Sequence, residues 1–171
     1  MFDEWGPALY GDPCRACGFA WSGSVSEAVY TVAGLPSAYE TLLSTATGKE
    51  RHPDLAWTTG EYVCHVADNL RIWAERLMRV VGGGPPVVGG YNEMELARAR
   101  NYPSISLPAS LSSLKCSVSD WLSAVGQTPG TGTVLIHEER GEQTLADVVR
   151  SNAHDGFHHQ WDISRTLENS L

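Results

Sequence analysis

A chain of 171 residues, 42% apolar and 19% charged, is long enough for one domain with a sizeable core and too short to expect two. Its formal charge of −8, with no clustered basic face, excludes a phosphate-backbone binder and argues against attraction to anionic membranes. No apolar run approaches the roughly 20 residues needed to span a bilayer, and Met1-Phe2-Asp3-Glu4-Trp5 lacks a signal peptide's basic start, so a cytoplasmic protein is expected.

Residues 1–23 are rich in glycine, proline and aromatic residues without periodicity, which predicts an irregular N-terminal arm. The arm carries Cys14-Arg15-Ala16-Cys17-Gly18. A CxxC followed by glycine resembles half of a zinc knuckle, but a structural zinc site needs four ligands. No second CxxC follows, and Cys64, Cys116 and His52 sit at no recognisable spacing. The pair therefore reads as a plain turn, with a zinc half-site and a redox pair as alternatives. Four cysteines force no disulfides on a domain of this size in a reducing compartment.

Ser24-Val25-Ser26-Glu27 is a capping box, and the helix it opens carries Val25, Val29, Val32, Tyr39, Leu42 and Leu43 on one side. Gly34-Leu35-Pro36 predicts a kink or break within it. A second capping box, Thr58-Thr59-Gly60-Glu61, predicts a helix to about Val81 with a stripe of Tyr62, Val66, Leu70, Trp73, Leu77 and Val80. His65 falls on the shoulder of that stripe, where a lone histidine is usually a satisfied, partly buried residue. Cys64 points away from it.

Gly82-Gly83-Gly84-Pro85-Pro86 ends this helix. The long connection to about Pro108 holds a short helical piece from Asn92 to Arg100 and is expected to wrap the bundle or line a site. Pro108 opens a third long helix bearing Leu111, Leu114, Val118, Trp121, Leu122 and Val125. Thr133 to His137 reads as a short extended segment, with His137 isolated, exposed and without a role. Thr144-Leu145-Ala146-Asp147 caps a last helix running to about Leu167. The sum is an all-α four-helix bundle over residues 24–171, with a long connection between its second and third helices. Nothing in the chain specifies an oligomer, although an exposed apolar helix face is compatible with a homodimer.

Three of the six histidines crowd into the last helix. At about 100° per residue, Leu145, Val148, Val149, Gly156, Ile163 and Leu167 share one arc. Asn152 and His159 lie in it and Asp155 on its shoulder, whereas His154 and His158 fall on the far side with Arg150 and Arg165. Two pairs thus compete as metal ligands, His154 with His158 and Asp155 with His159. Each pair would sit about 6 Å apart along the axis, within reach of one ion. Only Asp155 and His159 face other helices able to supply a third ligand, so that pair is preferred. The bland alternative is a polar patch that binds no metal.

Trp57-Thr58-Thr59-Gly60-Glu61-Tyr62-Val63-Cys64-His65-Val66-Ala67-Asp68-Asn69, with Asp155-x-x-His158-His159-Gln160-Trp161-Asp162 far downstream, resembles the DinB-like four-helix-bundle metalloprotein superfamily. That superfamily includes bacillithiol- and mycothiol-dependent S-transferases and maleylpyruvate isomerases. The resemblance implies one divalent metal held by His65, Asp155 and His159. Zinc suits two imidazoles and a carboxylate, though nickel or iron could use the same set. It also implies a low-molecular-weight thiol such as mycothiol as co-substrate, attacking a small electrophile by S-transfer or isomerisation. The first ligand of the last helix is histidine or glutamate in the family and aspartate here, a loss of about 1.5 Å of reach. Either the helices approach more closely, or His154 or His158 substitutes, or metal binds poorly. His158 could also support a ligand or touch substrate.

Other metal chemistries fit less well. A phosphohydrolase built on His154-Asp155 would need a further aspartate on a later helix, and a di-metal bundle would need Glu-x-x-His pairs, whereas Glu61 and His65 are four apart and unmatched. The HExxH of zinc peptidases is absent. The serious rival is a non-catalytic metal- or small-ligand-binding protein of the same fold.

Overall fold

The computed structural model describes residues 4–130 and 132–168. The first three residues of the expected arm, Thr131 and the last three residues of the expected bundle lie outside the described residues. In chain order the helices are α1 (Pro7–Tyr10), α2 (Val25–Leu42), α3 (Thr59–Val81), α4 (Glu93–Ala99), α5 (Leu107–Gln127) and α6 (Leu145–Glu168). The four long ones, α2, α3, α5 and α6, form an all-α bundle in which α3 packs most extensively on α5 and α2 on α6. Both predicted capping boxes are made, Ser24 with Glu27 and Thr58 with Glu61. At the head of α6 the Asp147 amide donates to Thr144 Oγ1 (3.2 Å) while the Asp147 carboxylate accepts from the Thr144 amide (2.8 Å). Among the described residues no helix is long and apolar enough to cross a membrane.

The expected break at Pro36 does not occur, and α2 runs through it. A proline inside a helix costs about 3 kcal/mol. Burial of Leu35 and Tyr39 on either side offsets it, at roughly 1.5–3 kcal/mol for each large apolar side chain. Both residues meet α6 at Gly156. The Tyr39 hydroxyl donates to the Gly156 carbonyl at 2.8 Å, and a Cβ on Gly156 would lie 2.4 Å from Leu35 Cδ1. Gly156→Ala should therefore destabilise the protein by about 1–3 kcal/mol, the cost of overpacking a tight contact, as read from denaturant unfolding.

The loop before α3 is fastened by Glu50. Its carboxylate accepts from the amide and hydroxyl of Thr47 (2.7 Å each), the Gly48 amide (3.0 Å) and the Thr59 hydroxyl (2.7 Å). Burial disfavours the charge, but these donors outweigh it and lower the Glu50 pKa to about 2. A carboxyl depressed in the folded state stabilises above its unfolded pKa and loses that contribution as pH falls through the folded one. Between about pH 4 and 2 the wild type should lose stability faster than Glu50→Gln, which is checked by thermal melts across that range.

The long connection wraps α3. The Tyr102 hydroxyl donates to the buried Asp68 carboxylate at 2.7 Å, and Arg100 pairs with the same group. Beyond the predicted extended segment there is a small three-stranded sheet of β1 (Val87–Val88), β2 (Val134–His137) and β3 (Gly141–Thr144). β1 runs parallel to β2 and β2 antiparallel to β3. Arg76 and Arg79 of α3 donate to the Gly89 and Val87 carbonyls and hold this sheet across one end of the bundle.

Candidate metal centre

α3 and α6 bring His65, Asp155 and His159 together: one ligand atom from each lies within 4.8 Å of the others. His65 Nε2 is 3.5 Å and His159 Nε2 3.6 Å from the same oxygen, Asp155 Oδ1. These separations are long for hydrogen bonds. They match the spacing of about 3.4 Å expected between donors that share a tetrahedral ion at 2.0–2.2 Å. Asp155 Oδ2 is buried without a hydrogen-bond partner, a costly state that an ion would relieve. The short aspartate therefore reaches its neighbours, and His154 and His158 do not enter this cluster.

The surroundings fix both rings. Trp57, at the mouth of the loop that caps α3, lies 4.7 Å from the His65 ring centroid, and Tyr62 lies 5.0 Å from His159. His159 Nδ1 contacts Asp162 Oδ2 at 3.0 Å, which turns Nε2 toward Asp155. A carboxylate behind a ligating histidine sets its tautomer and raises its basicity. Burial favours the neutral ring of His159, but Asp155 and Asp162 overcome it and raise the pKa to about 9. Asp155 is held well below the usual carboxylate range, because the charges of His65 and His159 outweigh its burial.

The cluster opens on a cavity of about 150 Å³ lined by His65 and Asp155. Its walls come from the arm (Trp5, Tyr10), from α3 (Asn69, Arg76), from the connection (Tyr91) and from the hairpin (His137, Arg140). The connection lines this cavity, as expected of it, and the arm supplies a further part of the wall. Arg76 is stacked on Trp73, 4.6 Å from the ring centroid.

Two sequence expectations need correction. His137 is buried, not exposed, and lines the cavity. The alternation of β2 puts it on the same inward face as Leu135, a period-two signal too short to stand out in the sequence. His154 and His158 do lie on the other face of α6, yet that face is not left to solvent: the arm covers it, and His154 is 95% buried (5% exposed). Burial, reinforced by His158, pushes the His154 pKa down to about 4 and keeps the ring neutral. Cys14 and Cys17 lie in a turn, as expected, and that turn faces these two histidines. Cys64 is buried, and burial raises its pKa to about 11.

By fold the chain is similar to YfiT from Bacillus subtilis, described as a probable metal-dependent hydrolase with an unusual four-helix bundle topology. The TM-score is 0.75 at 16% identity, covering 85% of this chain and 87% of that one. At that identity the likeness concerns the fold. No curated protein matches the chain by sequence. The sequence pattern of the DinB superfamily matches residues 36–163, a span that takes in His65, Asp155 and His159. The chain belongs to the DinB superfamily.

Proposed function

We infer that His65, Asp155 and His159 hold one divalent metal, zinc by donor type, and that the protein is an enzyme using it to activate a low-molecular-weight thiol such as mycothiol toward a small electrophile. The observation that carries this reading is the convergence of three donors, one with an orphaned buried oxygen, at the wall of a cavity. A closed structural site would have a fourth protein ligand at that point. When bound, such a metal lowers the pKa of a coordinated thiol or water and supplies a nucleophile near neutral pH.

The chain's own groups have separable tasks. Asp162 keeps the proton on His159 Nδ1 so that Nε2 is free to ligate. Trp57 and Tyr62 restrain the two imidazoles. Trp5 and Tyr10 screen the cavity from water, and Arg76 and Arg140 offer positive charge to an anionic substrate. Among the described residues no cysteine lines this cavity, which fits a thiol brought by the co-substrate. A second reading, hydrolysis by activated water, is favoured by the small size of the cavity and by the description of YfiT.

The test is to assay zinc-loaded protein with a panel of low-molecular-weight thiols and an activated alkene, following thiol consumption, and in parallel with esters and amides in the absence of thiol. Thiol-dependent turnover that disappears in Asp155→Ala is expected. Turnover only in the second assay would support hydrolysis. Tight metal binding with turnover in neither would leave a binding protein.

A further inference from the structure

Beside that cluster, where α6 faces the N-terminal arm, Cys14, Cys17, His154 and His158 offer four ligand atoms all within 4.8 Å of one another. We propose that they form a second metal site, a closed Cys2His2 zinc centre that fastens the N-terminal arm to α6 and so holds one wall of the reaction cavity in place.

The two halves are shaped for this before any ion is considered. In the arm, the Gly18 amide donates to the Cys14 carbonyl (2.9 Å) and the Cys14 amide to the Phe19 carbonyl (2.8 Å), closing a tight turn around the CxxC. Gly18 completes it at φ +79°, in the left-handed region that favours glycine. The amides of Cys17 and Ala16 point at the Cys14 sulfur, the arrangement that supports a thiolate. On α6, His154 and His158 are one turn apart with ring centroids 5.2 Å from each other.

The halves also meet as ligands rather than as packing. Cys14 Sγ lies 3.9 Å from His158 Nδ1, close to the separation of about 3.6 Å for sulfur and nitrogen donors on one tetrahedral zinc. The buried Nε2 of His154 has no hydrogen-bond partner. His158 Nε2 lies 3.8 Å from Asp162 Oδ2, the oxygen that contacts His159 Nδ1, so this carboxylate neighbours both clusters. Tyr10, Trp21 and Phe19 surround His154 with centroids at 4.5, 4.6 and 5.5 Å and keep water from the ring. Two thiolates and two neutral imidazoles complete a tetrahedron, select zinc over magnesium or calcium, and leave no position for substrate. Binding displaces the two thiol protons to solvent and breaks no covalent bond between heavy atoms. The site's role follows from what the arm carries: Tyr10 touches both His154 and the cavity, and Trp5 lies on the same wall.

The test uses the full chain, purified under reducing conditions without chelators, stripped of metal and titrated anaerobically with cobalt(II) and then zinc. Two equivalents per chain are expected. One should give the near-ultraviolet charge-transfer absorption of a cobalt–thiolate centre, and zinc should bleach it. That absorption should persist in His65→Ala and vanish in Cys17→Ser and His158→Ala. Because His65, Asp155 and His159 include no sulfur, failure here and failure of the proposed reaction centre are read separately. A second measurement needs no variant: titrating the wild-type thiols with a mercurial should release one zinc per chain to a chromogenic chelator and make the arm cleavable by protease while the bundle stays intact. Absence of thiolate absorption at every cobalt ratio, loss of all metal uptake in His65→Ala, or a Cys14–Cys17 disulfide in the anaerobically reduced protein would overturn the proposal.

Discussion

His65→Ala, Asp155→Ala and His159→Ala should each weaken metal binding at the bundle centre by about a hundredfold or more. Structural zinc sites bind with about 10–16 kcal/mol spread over four ligands, hence about 3 kcal/mol for each one removed. Removal of Asp162, which contacts His159 without joining the cluster, should cost less, about 10–100-fold. The measurement is competition with a chromogenic chelator in Cys17→Ser protein, which isolates the sulfur-free centre. Undiminished affinity in His159→Ala would show that α6 presents its ligands in a different register.

The pH dependence of the same centre should be steep, and opposite in sign to that of the metal-free fold. With the His159 pKa at about 9, the metal-free protein at pH 7 carries a proton that an incoming ion must displace. Affinity should rise about tenfold per pH unit from pH 7 to 9 and level off above, with one proton released from His159 per ion at the lower end. Without metal the order reverses. A histidine whose folded pKa is raised stabilises the protein fully below its unfolded value of about 6.5 and loses that contribution as pH rises through the folded one. Thermal midpoints of metal-free Cys17→Ser protein should fall between about pH 6.5 and 9, while those of the zinc-loaded protein hold or rise. Calorimetry at both ends of that range decides it, and a pH-independent affinity would mean that His159 is neutral before metal arrives.

The parts of the molecule visible in its sequence are those governed by neighbours along the chain. Capping residues at Ser24, Thr58 and Thr144 place three helix starts, and helical periodicity separates Asp155 and His159 from His154 and His158. A wheel identifies a face but not its cover. Cys14 and His158 are 144 residues apart, and no local pattern announces that the arm folds back over α6. A search confined to cysteine spacing leaves the CxxC half-complete, because its partners come from a helix pair that also looks half-complete alone. His137 was hidden for a related reason: four residues of strand are too few for alternation to be distinguished from chance. Pro36 shows the reverse case, in which a strong local rule yields to tertiary burial.

The arm precedes residue 36, where the superfamily pattern begins, yet it supplies one side of the chamber into which His65 and Asp155 look. The chamber wall is thus assembled from two stretches, one inside the superfamily pattern, which brings Asn69 and Arg76 beside the two cluster residues, and one outside it, which brings Trp5 and Tyr10. Exchanging Trp5 and Tyr10 for other side chains should therefore reshape the chamber while leaving His65, Asp155 and His159 in place, which metal affinity measured beside substrate choice would check.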